Sequence, residues 1–175
     1  MKEIPDYQTL MLPVLKSVAD GKEHKFREIA DSIAKNFGLT EEELGCRLPS
    51  GNQSIFDNRV GWAKTYLKKA CLIEYKGKGV LKITERGKQV LKDSPQKIDN
   101  KFLKQYDEFN EFQNKVNPKE EKQETETDYK NQTPEELIET AFHDFQKSLA
   151  EELLDKMNTC CCGVFDKEQQ KKIYT

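Results

Sequence analysis

The sequence predicts a mainly α-helical chain with one small β-hairpin: a winged helix-turn-helix domain, then a disordered linker and one long amphipathic helix. Three observations carry this. Apolar residues recur at helical spacing in three segments between residues 6 and 70, with a capping box for a short helix between the second and third. Two short strand-like runs, "LIEY" and "VLKI", flank Lys76-Gly77-Lys78-Gly79 directly behind the most basic of those segments. The run from Asn114 to Gln132 has almost no apolar side chains.

Taken in order, Tyr7, Leu10, Met11, Val14, Leu15 and Val18 share one helical face behind Asp6, a side chain suited to capping. Pro13 inside that pattern predicts a kink or a late start, and Gly21 predicts the end. Phe26, Ile29, Ala30, Ile33 and Phe37 predict a second helix over 25–37, closed by Gly38. Thr40 and Glu43 stand at capping-box spacing for a short helix to Arg47, followed by a turn at Pro49–Gly51. From Ser54 onward, Phe56, Val60, Ala63, Leu67 and Ala70 step by four and three residues, and Ile55, Trp62 and Tyr66 widen the stripe. The other face of this helix holds Asp57, Gly61, Lys64, Thr65 and Lys68, all small or polar. After the hairpin, Thr84 caps a helix through Leu91 that Pro95 ends. Ile98, Phe102, Tyr106 and Phe109 then continue in helical register to Phe112. Thr133, Pro134, Glu135 and Glu136 open a last helix, with Leu137, Ile138, Ala141, Phe142, Phe145, Leu149, Leu153 and Met157 along one side. The expected organisation is a domain over 1–113, a charged linker over 114–132, an amphipathic helix over 133–158 and an unstructured tail over 159–175.

Charge is distributed unevenly. The chain has a net charge of −2, yet residues 50–104 carry 13 Lys/Arg against 5 Asp/Glu, a local balance of +8. Residues 1–49 balance at −2 and residues 105–175 at −8. A basic middle in an otherwise acidic chain points to a polyanionic partner for that part alone. A recognition helix lies in the major groove while the wing follows phosphates, which suits small and polar residues interleaved with cations. The candidate DNA-contacting residues are therefore Asn52, Gln53, Asp57, Asn58, Arg59, Lys64, Lys68 and Lys69 on the basic helix and its approach. Lys76, Lys78 and Lys82 join them from the wing. Arg59 lies toward the apolar side of the helical wheel, so it either meets DNA or braces the fold, and Trp62 beside Tyr66 is assigned to packing.

Other classes of function find little support. No apolar run is long enough to span a membrane, and "MKEIPDYQTL" lacks a signal-peptide core, so a cytoplasmic, nucleoid-associated protein with reduced thiols is expected. His24 and His143 have no spaced ligand or nucleophile partners, and no catalytic residue, metal ligand or cofactor is assigned. Cys160, Cys161 and Cys162 lack a fourth ligand for a metal and a basic helix for lipidation; a fragment or altered reading-frame end accounts for them best.

The runs "IPDYQTLMLPVLK", "SGNQSIFDNRVGWAKTYLKKACLI", "LKITERGKQVL" and "TPEELIETAFHDFQKSLAEELLDKM" resemble the N-terminal part of Mrr-like restriction endonucleases, over about residues 4–158. The resemblance implies a winged-helix DNA-binding domain, a linker, a helix and then a nuclease domain. It also implies recognition of modified, often methylated, foreign double-stranded DNA, with Mg²⁺ at an Asp…Gln/Glu-x-Lys site. Only eighteen residues follow Met157, too few for that domain, and Gln169–Lys171 matches the triplet by letters alone, with Asp166 three residues before it. The expectation is thus a non-catalytic DNA-binding module without bound Mg²⁺. A free-standing winged-helix transcription regulator dimerised through helix 133–158 is the alternative, and a winged helix serving protein interaction the third.

Overall fold

The structure is a computed structural model that describes residues 4–116 and 132–164. It divides into two compact units, Met1–Pro134 and Glu135–Thr175. The expected linker falls mainly on residues 117–131, outside the described residues, as do residues 165–175 of the expected tail.

In the first unit α1 spans Tyr7–Ser17, with the Asp6 carboxylate accepting the Thr9 N–H at 2.6 Å. This cap fixes the start at Tyr7, so Pro13 neither delays nor ends the helix; it removes one N–H from the interior. Leu10, Met11, Val14 and Leu15 are fully buried against the helices that follow. α2, Phe26–Phe37, stops where Gly38 takes φ 64°, a left-handed conformation that glycine adopts without a Cβ clash. α3, Glu41–Gly45, has the expected reciprocal capping box: Glu43 N–H to Thr40 Oγ1 and Thr40 N–H to Glu43 Oε2. α4, Ile55–Lys69, is capped by Ser54, whose hydroxyl accepts the Asp57 N–H at 3.1 Å.

The expected hairpin forms from β2, Ile73–Gly77, and β3, Val80–Ile83, but it belongs to a three-stranded antiparallel sheet. The third strand is β1, His24–Lys25, which pairs His24 with Leu81 and Lys25 with Val80 to give the order β1-β3-β2. Two residues carry no alternation signal, and only the exposed edge of β3 makes them a strand. The element order and the strand order are both compatible with a winged helix. α5, Glu85–Lys92, is capped by the Thr84 hydroxyl and seats Gly87 directly on the Leu72 carbonyl that begins the hairpin.

The amphipathic stretch expected over 98–112 is two helices, α6 (Asn100–Leu103) and α7 (Asp107–Val116). Asp99 caps α6 through the Phe102 N–H at 2.8 Å, and the break lets Ile98, Leu103 and Phe109 all reach zero exposure. Leu103, which the helical register passed over, is buried, while Phe102 is only half-buried. Arg86 clamps this end of the unit. Its guanidinium donates to both Glu108 carboxylate oxygens at 3.0 Å and to the Ala70 carbonyl at 3.2 Å, and it lies 5.0 Å from the Tyr106 ring centre. Tyr66 is the hub of an aromatic cluster, with Tyr7, Trp62, Phe109 and Phe112 ring centres 5.4–6.0 Å away. Trp62 is thus a packing residue, as its neighbours implied.

α8 runs from Pro134 to Val164 and, from Glu135 on, belongs to the second unit. The helix passes through Cys160–Cys162, correcting the expectation of an unstructured tail from 159. The added residues include no proline, and Gly163 comes only at the last turn. Ile138, Phe142, Phe145, Leu149, Leu153, Leu154 and Met157 are exposed along it. Among the described residues no helix is long and apolar enough to cross a membrane.

Candidate nucleic-acid interface

The helical repeat sorts the polar residues of α4 into two sets. At about 100° per residue, Asp57, Gly61, Lys64 and Lys68 fall within about 60° of one another, whereas Lys69 lies about 100° beyond Lys68. The side chains agree. The Lys64 Nζ stands 4.0 Å above the Phe26 ring and 5.8 Å from the Tyr75 ring centre, and the Lys68 Nζ stands 3.9 Å above Tyr75. Lys69 reaches instead over Phe112 of α7, at 4.9 Å. Lys69 therefore serves the α7 flank and is not part of the Lys64–Lys68 face.

Backbone geometry brings these rings together. The Phe26 N–H donates to the Gly79 carbonyl at 2.7 Å, tying the start of α2 to the end of the hairpin turn. Tyr75 pairs with Leu81 and so projects from the core side of the sheet, next to α4. Half-burial depresses the pKa of Lys64, and repulsion from Lys68 adds to the effect. Burial pushes the Tyr75 phenol up.

The hairpin cations divide as well. Glu74 is the cross-strand partner of Lys82, on the sheet face away from Tyr75 and Leu81, and Lys76 forms an ion pair with Glu74 at 2.9 Å. Lys76 is thus held by a carboxylate that the expected cationic wing did not take into account, and Lys82 stands across the strands from the same residue. Lys78 is exposed on the turn itself, between Gly77 and Gly79, the latter at φ 73°.

At the N-terminal end of α4 Asn58 departs from the expectation, and Arg59 follows the bracing one of its two readings. Asn58 is only 2% exposed, and its Oδ1 accepts the Thr133 hydroxyl at 2.6 Å, so it does not reach a groove. Arg59 donates to the Ile4 carbonyl at 2.6 Å and braces the N-terminal segment instead of facing outward. Asn52 and Asp57 are exposed and Gln53 is half-buried. Gln53 and Asp57 line a cleft of about 610 Å³ between α2 and α4, together with Arg27, Asp31 and Lys64. Charge in the cleft is mixed, so the purely cationic part of the helix is its C-terminal half. Thr65 turns its hydroxyl back to the Gly61 carbonyl at 2.9 Å and leaves a low, methyl-bearing surface beside the lysines.

Sequence reasoning missed Phe26 and Tyr75 as parts of this face. The alternation in "LIEY" places Tyr75 on the same side as Ile73, which was the available signal; Phe26 gave none, since it reads as one more core position of the second helix. Among the described residues no group of three His, Cys, Asp or Glu is arranged to hold a metal ion. Asp166, Gln169 and Lys171 lie outside the described residues.

A family model described as the Mrr N-terminal domain matches residues 7–93. The match runs from α1 to the end of α5, and so includes the Lys64–Lys68 face and the whole hairpin. Comparison with curated proteins and with solved structures finds no match to this chain.

Proposed function

The chain belongs, through residues 7–93, to the Mrr N-terminal domain family, and on that footing we propose that its first unit is a winged helix-turn-helix that binds double-stranded DNA. In this proposal the chain is the recognition module of a restriction system and acts on the nucleoid, in the cytoplasm, where modified foreign DNA is met. One observation carries it. Lys64 and Lys68 project together from an α4 face that is otherwise small, with the exposed Lys78 turn on the adjoining hairpin. Small side chains let a helix approach base edges closely, and cations on both sides of the approach offset phosphate charge. Asn52, Gln53 and Asp57, at the leading end of α4, are the side chains placed to discriminate bases; an exposed Asp accepts from the cytosine amino group.

Modified DNA is the proposed target, and binding without cleavage the proposed activity of the described residues. Fluorescence anisotropy with a labelled duplex tests both parts, using methylated and unmethylated versions of one sequence, followed by incubation with Mg²⁺ and supercoiled plasmid. The expected result is salt-sensitive binding that favours the methylated duplex, and no nicking. Equal affinity for both duplexes would remove the modified-DNA part. Tight binding to one defined sequence, regardless of methylation, would favour a transcription regulator, whose dimer contact would be the exposed apolar side of α8.

A further inference from the structure

We propose that Tyr75 is a positioning residue of the lysine face: its ring, with that of Phe26, fixes the Lys64 and Lys68 ammonium groups where a phosphate backbone meets them. This rests on the DNA-binding function proposed above. A lysine on a helix surface ordinarily samples many rotamers, and freezing it on a phosphate subtracts from affinity. Here that ordering is already in place. Both ammonium groups lie over aromatic faces at 3.9–4.0 Å, well inside the range in which the ring quadrupole attracts a cation.

The two rings are themselves held. Tyr75 is 40% exposed, stands opposite Leu81 on the edge strand of the sheet and lies beneath the two lysines. Phe26 is fastened to the hairpin by its own N–H on the Gly79 carbonyl. Three elements thus converge: α2 and β2 supply rings and α4 supplies cations. The Lys64 ammonium is partly stripped of water and repelled by Lys68, as its depressed pKa reflects. An anion arriving between the two relieves the repulsion, and the rings keep the lysines from swinging apart before it arrives. Burial keeps the phenol neutral, so Tyr75 does not itself compete as an anion.

The test has a readout that does not depend on DNA. Ring currents should move the ε-methylene protons of Lys64 and Lys68 upfield of the other lysines in the NMR spectrum of the wild-type chain. Tyr75→Leu should return Lys68 to the ordinary position, and Tyr75→Phe should keep the shift. Duplex affinity should fall about tenfold in Tyr75→Leu and stay nearly unchanged in Tyr75→Phe. The salt dependence should be the same in both, because no charge is removed. Unshifted Lys68 protons in the wild-type chain would overturn the proposal without recourse to any variant. So would wild-type affinity in Tyr75→Leu alongside weakened binding in a Lys64→Ala/Lys68→Ala double variant. If the double variant also binds as wild type, the DNA-binding face itself is wrong, and Tyr75 falls with it.

Discussion

Substituting Gly87 by Ala should destabilise the first unit, although Gly→Ala within a helix normally stabilises. A Cβ at Gly87 would lie 2.2 Å from the Leu72 carbonyl oxygen and 2.7 Å from Ile83 Cγ1, whereas real Cβ atoms essentially never come within 3.0 Å of such neighbours. The carbonyl has little freedom to retreat, because it accepts the Thr84 N–H at 3.1 Å and lies 3.0 Å from the Thr84 hydroxyl, whose proton is shared with the Cys71 carbonyl at 2.7 Å. That same hydroxyl accepts the Gly87 N–H at 3.1 Å. Relief therefore requires α5 to move off the hairpin, at a cost toward the upper end of the roughly 1–3 kcal/mol typical of overpacking. Ala recovers about 1 kcal/mol as the better helix former, leaving a net loss of about 2 kcal/mol, or roughly 8 °C in Tm for a unit of this size. Gly61, in the middle of α4, is the control, because nothing lies within 4 Å of its Cβ position. Gly61→Ala should raise Tm by a few degrees, in line with about 0.5–1 kcal/mol. Thermal unfolding followed by Trp62 fluorescence isolates the first unit, since Trp62 is the single Trp and packs on Tyr66 there. A Gly87→Ala chain that melts at or above wild type would refute the reasoning, because it would show that the Leu72–Thr84 junction yields freely.

Three further outcomes are expected. Asp57→Asn should strengthen binding to unspecific duplex about threefold at low salt, because it removes a carboxylate from the Lys64 face; an electrophoretic or anisotropy titration reads it, and weaker binding would show that Asp57 makes a favourable contact. Arg59→Ala should lower Tm and leave the slope of log affinity against log salt unchanged, since the guanidinium serves the Ile4 carbonyl; a shallower slope would return Arg59 to the interface. Finally, the Arg86 hydrogen bonds hold the Glu108 carboxyl below the ordinary glutamate value of 4.5. A depressed folded-state pKa gives stability that is present above 4.5 and lost as pH falls through the folded value. The Tm gap between wild type and Glu108→Gln should therefore be open at neutral pH and narrow in acid, and a gap that never narrows as the pH is lowered below 4.5 would contradict it.

What the sequence disclosed about the fold was mostly local. The Asp6 cap, the Thr40–Glu43 box, the Gly38 stop and the apolar stripe of α4 each depend on residues within one or two turns, and each is found where its pattern placed it. What escaped depends on partners far along the chain. Asn58 looks like a surface residue until Thr133, 75 positions away, takes up its oxygen, and Arg59 finds its acceptor 55 positions back. β1 exists only because β3 offers an edge, and the α6–α7 break exists because three side chains must reach the core at once. The lysines of the candidate face were legible from the helical repeat. The separation of Lys69 from Lys64 and Lys68 is legible too, in the roughly 100° step from Lys68 to Lys69. The Glu74 pairing of Lys76 was legible as well, since alternation puts residues 74 and 76 on one face of the strand.

The salt dependence of duplex binding tests the central claim most directly. Removing one lysine from a phosphate should reduce the magnitude of the slope of log affinity against log salt by about 0.9. A Lys64→Ala/Lys68→Ala/Lys78→Ala chain, folded to the same Tm, should bind duplex DNA more weakly, with a slope shallower by roughly two to three units. Wild-type affinity and wild-type slope in that chain would contradict the assignment of this face to DNA.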